Sequence, residues 1–178
     1  MTPNPTIRLA SLLQTLEHVI FPAVDQKNSL AQEQCGLVLG QLRMLIQHMP
    51  YFGEYHGMCF ADLAETVGQL PAHAGGEQSA AAAEALSATL GEAKGINDVL
   101  AAYHLLGRAL EHLMRLAAED GEPAYRRAVD SAVLAFSKRQ SLRARSWFKE
   151  AGFDHAPETL PTLAEMFGHG FVNLSSGG

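Results

Sequence analysis

Cysteine, basic charge and long apolar runs are all scarce in this 178-residue chain, and each scarcity excludes something. Two cysteines, Cys35 and Cys59, cannot build a disulfide framework, so reduced thiols are expected and each reads first as a small buried hydrophobe. Lys and Arg number 13 against 19 Asp and Glu, a formal charge of -6. Broad nucleic-acid binding needs a basic face to neutralise phosphates, so no nucleic-acid partner is expected. No uninterrupted apolar run approaches the ~18–20 residues that cross a bilayer, so no membrane partner is expected either. The opening stretch MTPNPTIRLASLLQ lacks a basic segment followed by an apolar one and does not read as a signal peptide. A cytoplasmic location is the expectation.

Catalytic and metal motifs are missing as well. A carboxylate-bridged di-iron bundle needs Glu-x-x-His on two helices, but Glu17, Glu54 and Glu111 lead to Ile20, Gly57 and Met114. His104 and His112 share a helical face but stand ~12 Å apart along it, too far for one ion. Single residues on separate helices, His18, His48 and His104, are all that remain for a metal, and neither metal nor cofactor is expected. No Gly-x-Ser-x-Gly elbow, Gly-x-Gly-x-x-Gly loop or Walker pattern occurs. Cys59 has His56 one helical turn before it, an arrangement that can activate a thiol, but a core histidine is the commoner outcome.

What the chain does contain is helical periodicity. Hydrophobic residues make up 47 %, enough for a core, and they recur at helical rather than strand spacing. The spacing predicts an all-α fold, a bundle of five to six main helices in a single domain spanning 1–178. Asn4-Pro5 opens the first helix, with Ile7, Leu9, Leu12, Leu13, Leu16 and Ile20 as its apolar face and Pro22 as its end. Ser29 opens the second through a capping-box pattern, with Leu30, Leu37, Val38, Leu42, Leu45 and Met49 as its core stripe. Pro50 either kinks one long helix or starts a third. Residues 71–95 are rich in alanine and glycine and read as a flexible insertion with a helix at Ser79–Leu90, suited to close packing or to a flap. Asn97 caps the next helix and Gly121 closes it. Pro123 opens another, with a break expected near Ser137–Ser141. Thr162 to Glu165 is a second capping box. A loose tail is expected at about 169–178.

Three features could bind something. His104, Arg108, Glu111, His112 and Arg115 form a polar stripe. Outward, it is the solvent side of its helix, the favoured reading; inward, it makes His104 and Arg108, with His56, candidates for an anionic ligand such as an acyl-CoA or nucleotide. Arg127, Lys138, Arg145 and Lys149, at steps of eleven, seven and four, make a basic stripe. Such a stripe is more often a solvated face paired with acidic neighbours than an anion site. Gly36 with Gly40, and Gly53 with Gly57, clear notches for helix packing, within the chain or across a dimer interface.

The stretches LLQTLEHVIFPAV and LAQEQCGLVLGQLRML, within about residues 7–70, resemble small bacterial helical proteins. These are encoded near aminoglycoside-phosphotransferase-like and acyl-CoA-dehydrogenase-like genes. The resemblance implies an accessory role near acyl-CoA or small-molecule catabolism and assigns no residue a role. The combined expectation is a non-enzymatic protein, a homodimer, that binds a partner protein or small ligand. An enzyme or ligand-binding domain with an interhelical pocket is the alternative, and a metal-binding bundle a weaker one.

Overall fold

The computed structural model describes residues 4–72 and 74–168, and the tail expected at about 169–178 lies outside them. The protein is all-α, with no strand among the described residues. Among the described residues six main helices carry it: α1 (Pro5–Thr15), α3 (Ser29–His48), α4 (Phe52–Gly68), α5 (Glu77–Lys94), α6 (Val99–Asp120) and α7 (Pro123–Trp147). Two short ones, α2 (Phe21–Ala23) and α8 (Leu163–Phe167), complete the set.

The ends of these helices show which side chains stop the backbone from losing its hydrogen bonds. Asn4 caps α1 by accepting from the Thr6 N–H at 2.9 Å. The second cap is Asn28, which accepts from Ala31, so Ser29 is already helical. Asp98, not Asn97, caps α6 through the amides of Leu100 and Ala101. Thr162 and Glu165 form the reciprocal box as expected. Pro22 does not end the first helical run. The chain widens into a π-turn over Leu16–Ile20 and continues to Ala23, because a proline has no N–H to give and its ring crowds the preceding turn. Pro50 is taken up in a 3-10 turn, Met49–Tyr51, between two separate helices. The helix opened by Pro123 runs unbroken past Ser137–Ser141.

The described residues fall into two compact units, one within Met1–Phe52 and Arg145–Gly178 and one within Gly53–Ala144. In the first, α1 and α3 pack as an antiparallel pair. Glu17 pairs with Arg43 at one end, and Gln32 donates to the Val24 carbonyl at the other. The same unit holds an aromatic group in which buried His48 meets Trp147 edge-on at 4.7 Å and Phe52 meets it at 5.0 Å.

The second unit holds the main hydrophobic core. Leu63 and Val67 of α4, Ala82, Leu86 and Ala93 of α5, Leu106, Leu110 and Leu113 of α6, and Val129 of α7 close it. The alanine-rich helix is therefore core, not flap, and its small side chains are what let α5 lie close on α6. Its N-terminus has no local cap. Asp120 supplies one from the end of α6, accepting from the amides of Gln78 at 2.7 Å and Ser79 at 3.0 Å.

Gly75 and Gly76 make that approach possible. Gly75 has φ +80, and a Cβ there would lie 2.0 Å from Glu122; one at Gly76 would lie 2.3 Å from Asp120. These two, within the segment 71–95 that the sequence suggests is a flexible insertion, are close-packing glycines. At Gly36, Gly40, Gly53 and Gly57 no atom beyond the local helix backbone lies within 4 Å of a built Cβ, so among the described residues none of the four receives a close neighbour.

Candidate functional site

The second unit buries a charge. Asp62 lies on the inward face of α4, in helical register with Tyr55, Cys59 and Thr66, at a position where an apolar residue would serve the core. A carboxylate there must be paired, because desolvating it alone costs far more than one contact returns. Two arginines one turn apart on α7 do the pairing. Arg139 donates to Asp62 Oδ1 from Nε at 2.8 Å and from Nη2 at 2.6 Å. Arg143 donates to Oδ2 from Nη1 at 2.6 Å. Arg139 also reaches the Thr66 hydroxyl at 3.1 Å, and that hydroxyl donates to the Asp62 carbonyl.

Burial pushes the Asp62 carboxyl up, but the hydrogen bonds and charges of Arg139 and Arg143 outweigh it and hold the group below its ordinary value. Cys59 follows one turn earlier, its thiol donating to Gln140 Oε1 at 3.3 Å. Burial drives this thiol up, against Arg143 and the hydrogen bonds of Tyr55 and Gln140. Tyr55 is pushed up to about 12, first by burial and then by Cys59. Among the described residues the Gln140 Nε2 has no partner. Asp62 is fully engaged as an acceptor, and Cys59 is held as a thiol.

The sequence reading passed over Asp62, Thr66 and Gln140. The signal was a carboxylate set between Cys59, Leu63 and Val67 on an apolar face, which demands a cation from a neighbouring helix. The two arginines that meet it, Arg139 and Arg143, lie outside the basic stripe of Arg127, Lys138, Arg145 and Lys149.

The residues that were singled out scatter. Lys149 falls beyond the end of α7, in a 3-10 turn, so the basic stripe does not share one helical face. Its Nζ donates to the Leu160 carbonyl at 2.7 Å, and Arg145 forms a two-pronged pair with Asp154. Arg127 and Lys138 are exposed on α7. The polar stripe of α6 faces solvent: His104, Arg108, Glu111, His112 and Arg115 are all exposed. His104 and Arg108 nevertheless edge a groove of about 390 Å³ between α6 and α7, while His56, half-buried on α4 beside Tyr55, does not line it. Among the described residues no three His, Cys, Asp or Glu side chains are placed to share an ion. His18 is exposed, and His48 is packed against Trp147.

The first unit presents the opposite chemistry. The stripe of α3 expected to be core is largely uncovered: Leu30, Leu37, Val38 and Leu45 are exposed, Leu30 by 65 %. On the α1 side Ile7, Leu12, Val19 and Ile20 are exposed too. Between the helices lies an apolar hollow of about 200 Å³ lined by Leu16, Ile20, Phe21, Cys35, Val38 and Leu39. Gln34 is its one polar side chain.

Fold and surfaces together define an all-α protein with a buried ionic cluster and an uncovered apolar face. Comparison with family models, with curated proteins and with solved structures finds no match. Among the described residues no helix is long and apolar enough to cross a membrane.

Proposed function

We propose that the protein is a non-enzymatic accessory protein that acts by binding, and that the α1–α3 face is its interface, occupied first by a second copy of the chain. The carrying observation is the exposed apolar stripe of α3 beside that of α1. Monomeric proteins rarely leave such a contiguous patch to water. Leu30, Leu37 and Met44 recur every seven residues, as do Val38 and Leu45. That repeat suits a second seam between helices. An antiparallel helix pair of this kind is self-complementary, and two of them make a four-helix bundle about a two-fold axis. Each leucine taken fully from water contributes roughly 1.5–3 kcal/mol, so a few of them from each protomer offset the entropic cost of association.

The buried cluster supports the non-enzymatic side of this reading, because its carboxylate and thiol are already engaged. The accessory role beside acyl-CoA or small-molecule catabolism, in the cytoplasm, that the sequence led us to expect belongs to the same proposal.

Light scattering tests the interface directly. The wild type is expected at the mass of a dimer. The double variant Leu37→Glu/Leu45→Glu is expected at the mass of a monomer with unchanged helical circular dichroism. A monomeric wild type, or a variant that remains dimeric, overturns the proposal.

A further inference from the structure

We propose that the groove between α6 and α7 binds a small monocarboxylate with an apolar body. It lies in the second unit, apart from the α1–α3 face, and the inference stands whether or not that face dimerises. Leu63, Leu110, Met114, Val133 and Phe136 line it with apolar surface, of which Leu63 and Leu110 belong to the buried core. Its volume, about 390 Å³, is in the range of small-molecule sites, roughly 300–1,000 Å³.

Gly107 sits in the lining, in the middle of α6. A glycine in a helix interior weakens the helix relative to alanine, and a positive φ or a crowded Cβ is the usual reason to keep one. Neither applies here: Gly107 shows no positive φ, and no atom lies within 4 Å of a built Cβ. The missing side chain leaves the groove open along α6.

Charge selects the occupant. His104 and Arg108, one turn apart, flank Gly107 on the rim. The His104 ring tilts against Tyr103 at 5.9 Å, and Arg108 makes no ion pair or hydrogen bond among the described residues. A guanidinium and an imidazole N–H on one rim can both donate to a carboxylate. Glu111 lines the same groove one turn past Gly107. Its carboxylate offsets part of the Arg108 charge, which leaves the rim suited to hold at most one negative charge and disfavours nucleotides and other polyphosphates. The apolar lining takes the body of the ligand, while the carboxylate stays at the half-wet rim.

Isothermal titration with octanoate, octylamine and 1-octanol tests this in the full chain. Saturable octanoate binding is expected, with the amine and the alcohol about tenfold weaker or more, the scale of one charged hydrogen-bonded contact. Arg108→Ala is expected to lose about tenfold, and Gly107→Leu to lose binding by filling the groove. Circular dichroism checks that both are folded. If Gly107→Leu does not fold, Gly107→Ala, which adds one methyl to a helix that tolerates it, is expected to weaken octanoate binding measurably. Leu37→Glu/Leu45→Glu is expected to bind octanoate as the wild type does, which separates this groove from the apolar hollow of α1 and α3. Absence of saturable octanoate binding, equal binding of octylamine, full binding in Arg108→Ala or in the Gly107 variant, or loss in the α3 double variant each overturns the proposal.

Discussion

Asp62 is the residue whose chemistry constrains its surroundings most. Its side chain is 8 % exposed and Arg143 15 %, while Arg139 is 48 % exposed. A buried pair of this kind adds little over a well-packed apolar substitute, but half of it left alone is costly. Asp62→Asn keeps the shape and strands the Arg143 charge. A loss on the order of 3 kcal/mol at neutral pH is expected, read as a lower urea midpoint at unchanged slope. Arg139→Ala, at the wet end, is expected to cost only about 1 kcal/mol. The pH dependence follows from the depressed carboxyl. The folded state favours the ionised form, so the stabilisation is complete above the unfolded value of about 3.9 and disappears as pH falls through the folded one. Wild type and Asp62→Asn should therefore converge as pH is lowered from about 5 toward 2; a gap that does not narrow on acidification contradicts an ionic role. His48 acts earlier on the same limb. Burial lowers it, against a smaller opposing effect of Glu150. Its contribution is present above about 6.5 and is lost below that as the ring takes up a proton.

At the scale of the element, glycines separate what sequence spacing can and cannot convey. Four-residue spacing suggested notches at Gly36, Gly40, Gly53 and Gly57, but spacing describes one helix and says nothing of what arrives opposite. The close approaches are at Gly75 and Gly76, where the chain after α4 meets the end of α6. That meeting depends on residues more than forty positions apart. The two classes should respond oppositely to alanine. Gly40→Ala has room and removes freedom from the unfolded chain, so a gain of roughly 0.4–1 kcal/mol is expected. Gly75→Ala must hold φ +80 and displace Glu122, so a loss of about 1–3 kcal/mol is expected. Thermal melts of the two variants decide it, and equal shifts of the same sign would contradict the assignment. The same reasoning explains what was legible. Helix number and class follow from local periodicity. Thr162 is recognisable as a cap because its box closes within four residues, whereas Asp120 as the cap of α5 is tertiary. Asp62 was readable only as a misplaced charge, and its partners on α7 are 77 and 81 positions away.

Across the whole molecule, apolar burial is unevenly divided. The main core cluster lies entirely within Gly53–Ala144. The described part of the other unit buries few apolar side chains, Leu39, Trp147 and Leu160 among them, and exposes the α1–α3 stripe. Local opening needs only as much free energy as the contacts it breaks. Amides of α6, with five buried side chains, are therefore expected to exchange hydrogen only on global unfolding, while those of α1, which buries none, exchange through a smaller opening. Association changes this in one place. A partner that binds the folded face stabilises it by mass action, so protection of α1 and α3 should rise with protein concentration while that of α6 stays at its ceiling until global stability itself rises. Hydrogen exchange at two concentrations a hundredfold apart reads both expectations in one experiment. Concentration-independent exchange throughout α1 and α3, in a protein that scatters light as a dimer, would place the interface on some other surface. Slower exchange confined to α1 and α3, lost in Leu37→Glu/Leu45→Glu, would locate it on the stripe that periodicity marked as core and that stands exposed among the described residues.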